Sequence, residues 1–274
     1  MISRGGFLRL VGGVAGAASL GLLASCEGGE TTNAGEPRET PEGQPEVGGV
    51  ANQGRLLARP VPTSPPDAKA PAGLRTLGLG SRRDGLLYVP SSYDVTKATP
   101  LALTLHGAGG DARSGVSHLL DLADKAGVVL LAPESRGRTW DVLTGGYGPD
   151  VEFIDRALER TFDRMSVDAG RLAVTGFSDG ASYALSLGLT NGNLFTHVVA
   201  FSPGFMAPAT RRGKPPVFVS HGTRDGVLPI GVTSRRVVSE LERGGYEVRY
   251  REFAGPHTVP EAVAREALGW FTRS

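Results

Sequence analysis

Leu172-Ala-Val-Thr-Gly176-Phe-Ser178-Asp-Gly180-Ala-Ser-Tyr-Ala-Leu185 is the stretch on which the reading turns. Residues 171–175 form a short run with apolar and β-branched members and predict a buried strand. Residues 181–189, rich in Ala and Leu, predict a helix. Between them stands a Gly-x-Ser-x-Gly at residues 176–180. A serine on so sharp a strand-to-helix turn takes a strained backbone, and glycines two positions to either side leave room for it. The turn lifts the Ser178 hydroxyl above the sheet. It also sets the N–H of Asp179 at a helix N-terminus, where it can hold a developing oxyanion. In a chain with 40 glycines the pattern alone is weak, and a helix-capping Ser178 in an ordinary turn satisfies it too. The strand before and the helix after supply the context a nucleophile needs.

Working outward, apolar runs at residues 74–79, 85–89, 100–105, 128–131, 196–201, 217–219 and 247–253 predict further strands, the first two as a hairpin. Residues 115–125, 150–165, 230–243 and 259–271 predict helices. In the second of these, Val151, Ile154, Leu158 and Phe162 share one face. Alternation of this kind predicts an α/β architecture, a mostly parallel sheet with helices on both faces, in one domain over residues 73–274.

A serine hydroxyl attacks poorly unless a base takes its proton, and the base needs an acid to fix its tautomer. Of the five histidines, His257 alone lies in the last fifty residues, in a loop between the last strand and the last helix. Asp225 follows the strand at 217–219. Both fall at the carboxyl ends of strands, the rim that carries Ser178, and the chain order is Ser, Asp, His. His197 opens a strand at the other end of the sheet, and His221 lies within the turn that carries the acid. A turn-forming aspartate and a loop histidine are the plainer readings of Asp225 and His257. His106-Gly-Ala108-Gly-Gly110 ends its strand at the same rim, and the Ala108 N–H is the candidate second oxyanion donor. Trp140, in the loop at 137–149, either lines a pocket for the acyl or alcohol group or packs as surface cover.

The formal net charge of +1 and the absence of a basic stripe argue against a nucleic-acid partner. A single cysteine excludes an intrachain disulfide and a cysteine-based metal site. Arg4 and Arg9 flank the start of an apolar run at residues 10–24, of signal-peptide length and too short to make a good membrane span. Leu23-Ala-Ser-Cys26 closes the run and resembles a bacterial lipobox. That resemblance implies a signal peptide over residues 1–25 and a lipid on Cys26 that anchors an exported protein to the cell envelope without spanning the membrane. An ordinary signal peptide, with Cys26 incidental, is the alternative. Residues 3–9 also resemble a twin-arginine signal, with Gly5 where the second arginine belongs. Residues 26–72, dominated by Glu, Gly, Pro, Thr and Asn, predict a flexible tether in which Leu56-Leu57 can dock locally.

Leu-His-Gly-Ala-Gly-Gly at 105–110, Gly-Phe-Ser-Asp-Gly at 176–180, His-Gly-Thr-Arg-Asp at 221–225 and Gly-Pro-His-Thr-Val-Pro at 255–260 together resemble the α/β-hydrolase superfamily of serine esterases. The resemblance is greatest to the phospholipase/carboxylesterase and polyhydroxybutyrate-depolymerase-like group. It implies an α/β-hydrolase fold, a Ser178–His257–Asp225 triad acting through an acyl-enzyme on small carboxylic esters, and no metal or cofactor. Residues 202–216 are too few for a cap domain, which points to an open site and short-chain or aryl esters. An acyltransferase, a peptidase or a non-catalytic binding protein on the same scaffold are the alternatives.

Overall fold

Eight runs of apolar or alternating sequence pair into one sheet: β1 (Gly73–Thr76), β2 (Gly85–Val89), β3 (Thr99–Leu105), β4 (Val129–Pro133), β5 (Val167–Phe177), β6 (His197–Phe201), β7 (Val217–Gly222) and β8 (Val248–Phe253). Their order across the sheet is β1-β2-β4-β3-β5-β6-β7-β8. β1 and β2 pair antiparallel, as does β2 with β4, and every later neighbour is parallel. The computed structural model describes residues 47–60, 71–80 and 82–273, within one compact unit spanning Gly43–Ser274. The expected signal peptide, Cys26 and much of the expected tether lie outside the described residues.

The helices are α1 (Val47–Ala51), α2 (Ala112–Ser117), α3 (Leu120–Ala126), α4 (Pro149–Phe162), α5 (Asp179–Thr190), α6 (Ser234–Arg243) and α7 (Glu261–Arg273). Successive strand residues point to opposite faces, so each buried strand feeds two cores. On one face Leu101, Leu103, Leu172, Val174 and Val219 pack with residues of α4, α5 and α6. On the other, Ala102, Ala173, Val199 and Phe218 pack with residues of α2, α3 and α7.

Three expectations are corrected. The helix predicted over 115–125 is two: Leu119 leaves helical geometry at φ −120° and buries its side chain beside Val116 and Ala123. The helix predicted over 230–243 is a 3-10 turn, Ile230–Val232, followed by α6, with Thr233 at φ −119° and ψ −102° between them. The flexible tether does not extend to residues 47–60, which are packed. Leu56 is wholly buried, and its N–H donates to Asn191 Oδ1 at 2.9 Å. The Asn191 amide donates in turn to the carbonyls of Gly54 (2.7 Å) and Leu187 (3.0 Å). The N–H groups of Leu57 and Ala58 both reach Asp155 Oδ1. One buried leucine and four hydrogen bonds to Asn191 and Asp155 hold a segment whose composition alone reads as unstructured. Among the described residues no helix is long and apolar enough to cross a membrane.

Candidate active site

β3 and β5 are neighbours, yet the chain leaves them toward opposite sides of the sheet, with β4 beyond β3 and β6 beyond β5. The crevice outside the carboxyl ends at such a switch point is where open α/β sheets place ligands. The loop after β3 is 106–110 and the turn after β5 carries Ser178.

Ser178 sits between β5 and α5 at φ 57° and ψ −121°, one of two described non-glycine residues with positive φ. Such a conformation stores strain that the surroundings must hold. They do so by close approach. A Cβ at Gly176 would overlap the backbone of Gly180, and a Cβ at Gly180 would overlap the carbonyl of Leu105 in β3. The Ser178 N–H donates to the Phe201 carbonyl at 3.0 Å, tying the turn to β6. Asp179 opens α5, where the first N–H groups have no intrahelical acceptor. Its carboxylate accepts from Thr139 Oγ1 at 2.7 Å.

Asp225 and His257 come together from two loops. Backbone bonds from Thr223 to Phe253 (2.8 Å) and from Arg224 to Gly255 (2.9 Å) pin the loop after β7 to the loop after β8. His257 Nδ1 then meets Asp225 Oδ2 at 2.6 Å. Asp225 Oδ1 accepts from the N–H groups of Val227 and Leu228, at 2.9 and 2.8 Å. Burial pushes the Asp225 carboxyl up, but those two N–H groups and His257 outweigh it, and the net direction is down, toward the ionised form. The His257 ring packs on Phe177, the residue before Ser178, with centroids 4.6 Å apart. His257 Nε2 is buried without a hydrogen-bond partner. The structure thus brings His257 to the serine turn, and the Ser178–His257 hydrogen bond itself is not formed.

The loop after β3 lies against the same turn: a Cβ at Gly107 would come within 3.5 Å of Ser178 Cβ. Among the described residues no hydrogen bond engages the Ala108 N–H. His106 is buried, and its Nε2 accepts from the Ser135 N–H at 3.0 Å. Burial pushes its pKa down, so it orders the loop as a neutral ring. Trp140 neither lines a pocket nor covers the surface. It is fully buried, its indole N–H donating to the His106 carbonyl at 2.8 Å and its ring stacked on Tyr183 at 5.0 Å. A buried indole needs an acceptor, and this one finds it beneath the candidate oxyanion loop.

Of two cavities of similar volume, one bears on the site. One of about 710 Å³ lies between residues 50–59 and α4 and contains none of the candidate residues. Another, of about 690 Å³, opens beside Ala108 and is walled by Arg138, Thr139, Thr144, Gly145 and Pro149. The second reaches the serine turn through Thr139, whose hydroxyl donates to the Asp179 carboxylate. Residues 202–216 contribute no helix or strand over it. Among the described residues no group of three His, Cys, Asp or Glu side chains is arranged to hold a metal ion. Sequence reasoning missed the paired acids in this wall, Asp141 and Asp150. Asp150 is buried and accepts from the N–H groups of Arg136 and Asp141, while Asp141 accepts from the N–H groups of Gly148 and Asp150 and from the Tyr183 hydroxyl. Their closure of the loop at 136–148 depends on contacts that no local pattern declares.

Residues 151–259 match the family model described as Phospholipase/Carboxylesterase. Feruloyl esterase C of Emericella nidulans is 28% identical over 180 residues, covering 62% of this chain and 66% of the relative. An acetylxylan esterase of Coprinopsis cinerea is 29% identical over 148 residues, covering 48% of this chain and 39% of the relative. The chain thus spans two thirds or less of the length of these relatives. The crystal structure of esterase PE8 superposes with a TM-score of 0.57 at 23% identity, over 69% of this chain and 97% of that one. A ferulic acid esterase of Anaeromyces mucronatus does so with a TM-score of 0.56 at 18% identity, over 74% and 90%. At these identities the two structures speak for the fold alone. With its mostly parallel sheet, its strained serine turn at the switch point and its likeness to esterase structures, the chain has the α/β-hydrolase fold.

Proposed function

We propose that the chain is a serine esterase acting on short-chain or aryl carboxylic esters, with Ser178 as nucleophile, His257 as base and Asp225 as orienting acid. The observation that carries this is the buried, partnerless Nε2 of His257, held by Asp225 at 2.6 Å through the other ring nitrogen and set beside the strained turn of Ser178. In the proposed cycle His257 takes the Ser178 proton as Oγ attacks the ester carbonyl. The N–H groups of Ala108 and Asp179 receive the oxyanion, and His257 returns the proton to the leaving alcohol. Water, deprotonated by His257, then releases the acid. Hydrogen bonds in a free site are often long or unmade and tighten around substrate, so the unformed Ser178–His257 bond is compatible with this role. Similarity to feruloyl and acetylxylan esterases supports aryl or short acyl groups, as does the lack of a cap over the serine.

The test is hydrolysis of p-nitrophenyl acetate, butyrate and palmitate by the chain from residue 27 onward, beside its Ser178→Ala variant. Turnover greatest on the short esters and lost in the variant is the expected result. Wild-type turnover in the variant would remove Ser178 from the mechanism. Rapid fluorophosphonate labelling without ester turnover would move the substrate to another acyl class. We also propose that Cys26 carries a lipid that anchors the exported enzyme to the bacterial cell envelope; the sequence at residues 23–26 supports this. Continued lipid labelling of a Cys26→Ser variant in bacteria would overturn it.

A further inference from the structure

The buried hydrogen-bond chain does not end at Asp225. His221, near the end of β7, has no exposed surface and places its Nε2 3.0 Å from Asp225 Oδ2, the oxygen that His257 Nδ1 also meets. The same Nε2 lies 2.8 Å from the Leu228 carbonyl. An ionised carboxylate and a carbonyl only accept, so Nε2 carries the hydrogen and shares it between them. The far side of the ring agrees with this tautomer: Nδ1 is left to accept from the buried hydroxyl of Ser234, the first residue of α6, at 2.6 Å. Burial pushes the pKa of His221 down, against the Leu228 carbonyl and Asp225, so the ring stays neutral.

Building on the proposed triad, the geometry points to His221 as a second positioning histidine. By sharing its Nε2–H with Asp225 Oδ2, it fixes the carboxylate's rotation and limits the negative charge presented to His257. Ser234 holds the tautomer that makes this possible. The charged and titratable groups around the array are Asp225 and His257 on the two loops and Arg224 beside Asp225. On β8, Glu252 stands opposite His221 in the register and is paired with Arg235 of α6. His118, after α2, also packs on Phe177, with ring centroids 5.1 Å apart. A histidine that merely filled the turn would leave the pH dependence of the reaction unchanged. One that shares a proton with the acid would not. Without the shared donor, Asp225 turns its full charge on His257, and the pH profile of the rate moves with it.

The test is the pH profile of kcat and kcat/KM for p-nitrophenyl butyrate in the chain from residue 27 onward, for the wild type, His221→Leu, His221→Gln and Ser234→Ala. In His221→Leu, kcat falls about tenfold or more while KM changes little. The acid limb moves upward by about half a pH unit or more. Glutamine can offer an amide N–H near the Nε2 position, so His221→Gln regains most of the rate and the wild-type limb. The downfield proton resonance of His257 Nδ1–H moves in His221→Leu and not in His221→Gln. A wild-type rate and acid limb in His221→Leu overturns the proposal. If that variant does not fold, Ser234→Ala decides: a smaller loss in the same direction supports the proposal, and an unmoved profile overturns it. If Ser178→Ala hydrolyses the ester as fast as wild type, the esterase reading itself fails; an inactive Ser178→Ala beside an unmoved His221 profile sinks the positioning role alone.

Discussion

Leu56→Ala tests whether residues 47–60 belong to the folded unit. The side chain is wholly buried, and its own backbone N–H is held by the buried amide of Asn191. Removing such a leucine costs about 2–5 kcal/mol, the transfer of the lost carbons plus the cavity left behind. Each kcal/mol lowers the melting temperature of a domain of this size by about 2–4 °C. A loss near the middle, about 3 kcal/mol, therefore lowers Tm by roughly 6–12 °C. The loss has a ceiling, because the segment can undock and leave the domain otherwise folded. Undocking strands the Asn191 amide, which loses Leu56 N–H and the Gly54 carbonyl together. Asn191→Ala should thus act on the same event, and the double variant should lose clearly less than the two single losses combined. Thermal unfolding by circular dichroism reads both quantities, and limited proteolysis within 47–60 reads the undocking. A Tm within about 1 °C of wild type for Leu56→Ala, or fully additive losses in the cycle, would refute the docked segment.

Gly180→Ala adds a Cβ where only the Leu105 carbonyl can stand, and backbone on both sides leaves nothing flexible to yield. It should destabilise by about 1–3 kcal/mol or more and disturb Ser178; a wild-type Tm and esterase rate would contradict the close approach. Burial, with the Asp141 carboxylate acting the same way, pushes the Asp150 carboxyl up to about 6, against the Arg136 and Asp141 N–H groups and the Arg136 charge, from an ordinary 3.8. The fold therefore holds that proton more tightly than the unfolded chain, so its contribution is complete below pH 3.8 and is lost as pH rises to about 6. The span of about two pH units corresponds to roughly 3 kcal/mol. Asp150→Asn should flatten the fall in Tm between those two pH values, measured by calorimetry; an equally steep fall in the variant would show that another group drives it.

The serine turn was legible because close backbone approach admits few residues, and glycines at 176 and 180 around a serine declare that geometry locally. The strands near it were legible for a similar reason, since continuous apolar runs suit a sheet buried on both faces. Asp225 and His257 could be picked from chain order and strand ends, but their 2.6 Å contact depends on two loops pinned across β7 and β8. What escaped was set by partners far along the chain. Leu56 docks on Asn191, 135 residues away, and no window of composition contains both. Trp140 reads as a loop aromatic until Tyr183 and the His106 carbonyl bury it. His221 reads as part of the turn that carries the acid, and only the fold sets Ser234 against its far side.

The most direct test of the central claim is rapid-quench mass spectrometry of the chain from residue 27 onward, mixed with p-nitrophenyl butyrate. The account predicts one butyryl group on the peptide carrying Ser178, formed before steady state and absent from Ser178→Ala. Ester turnover with no acyl adduct, or with the adduct on another residue, would contradict it.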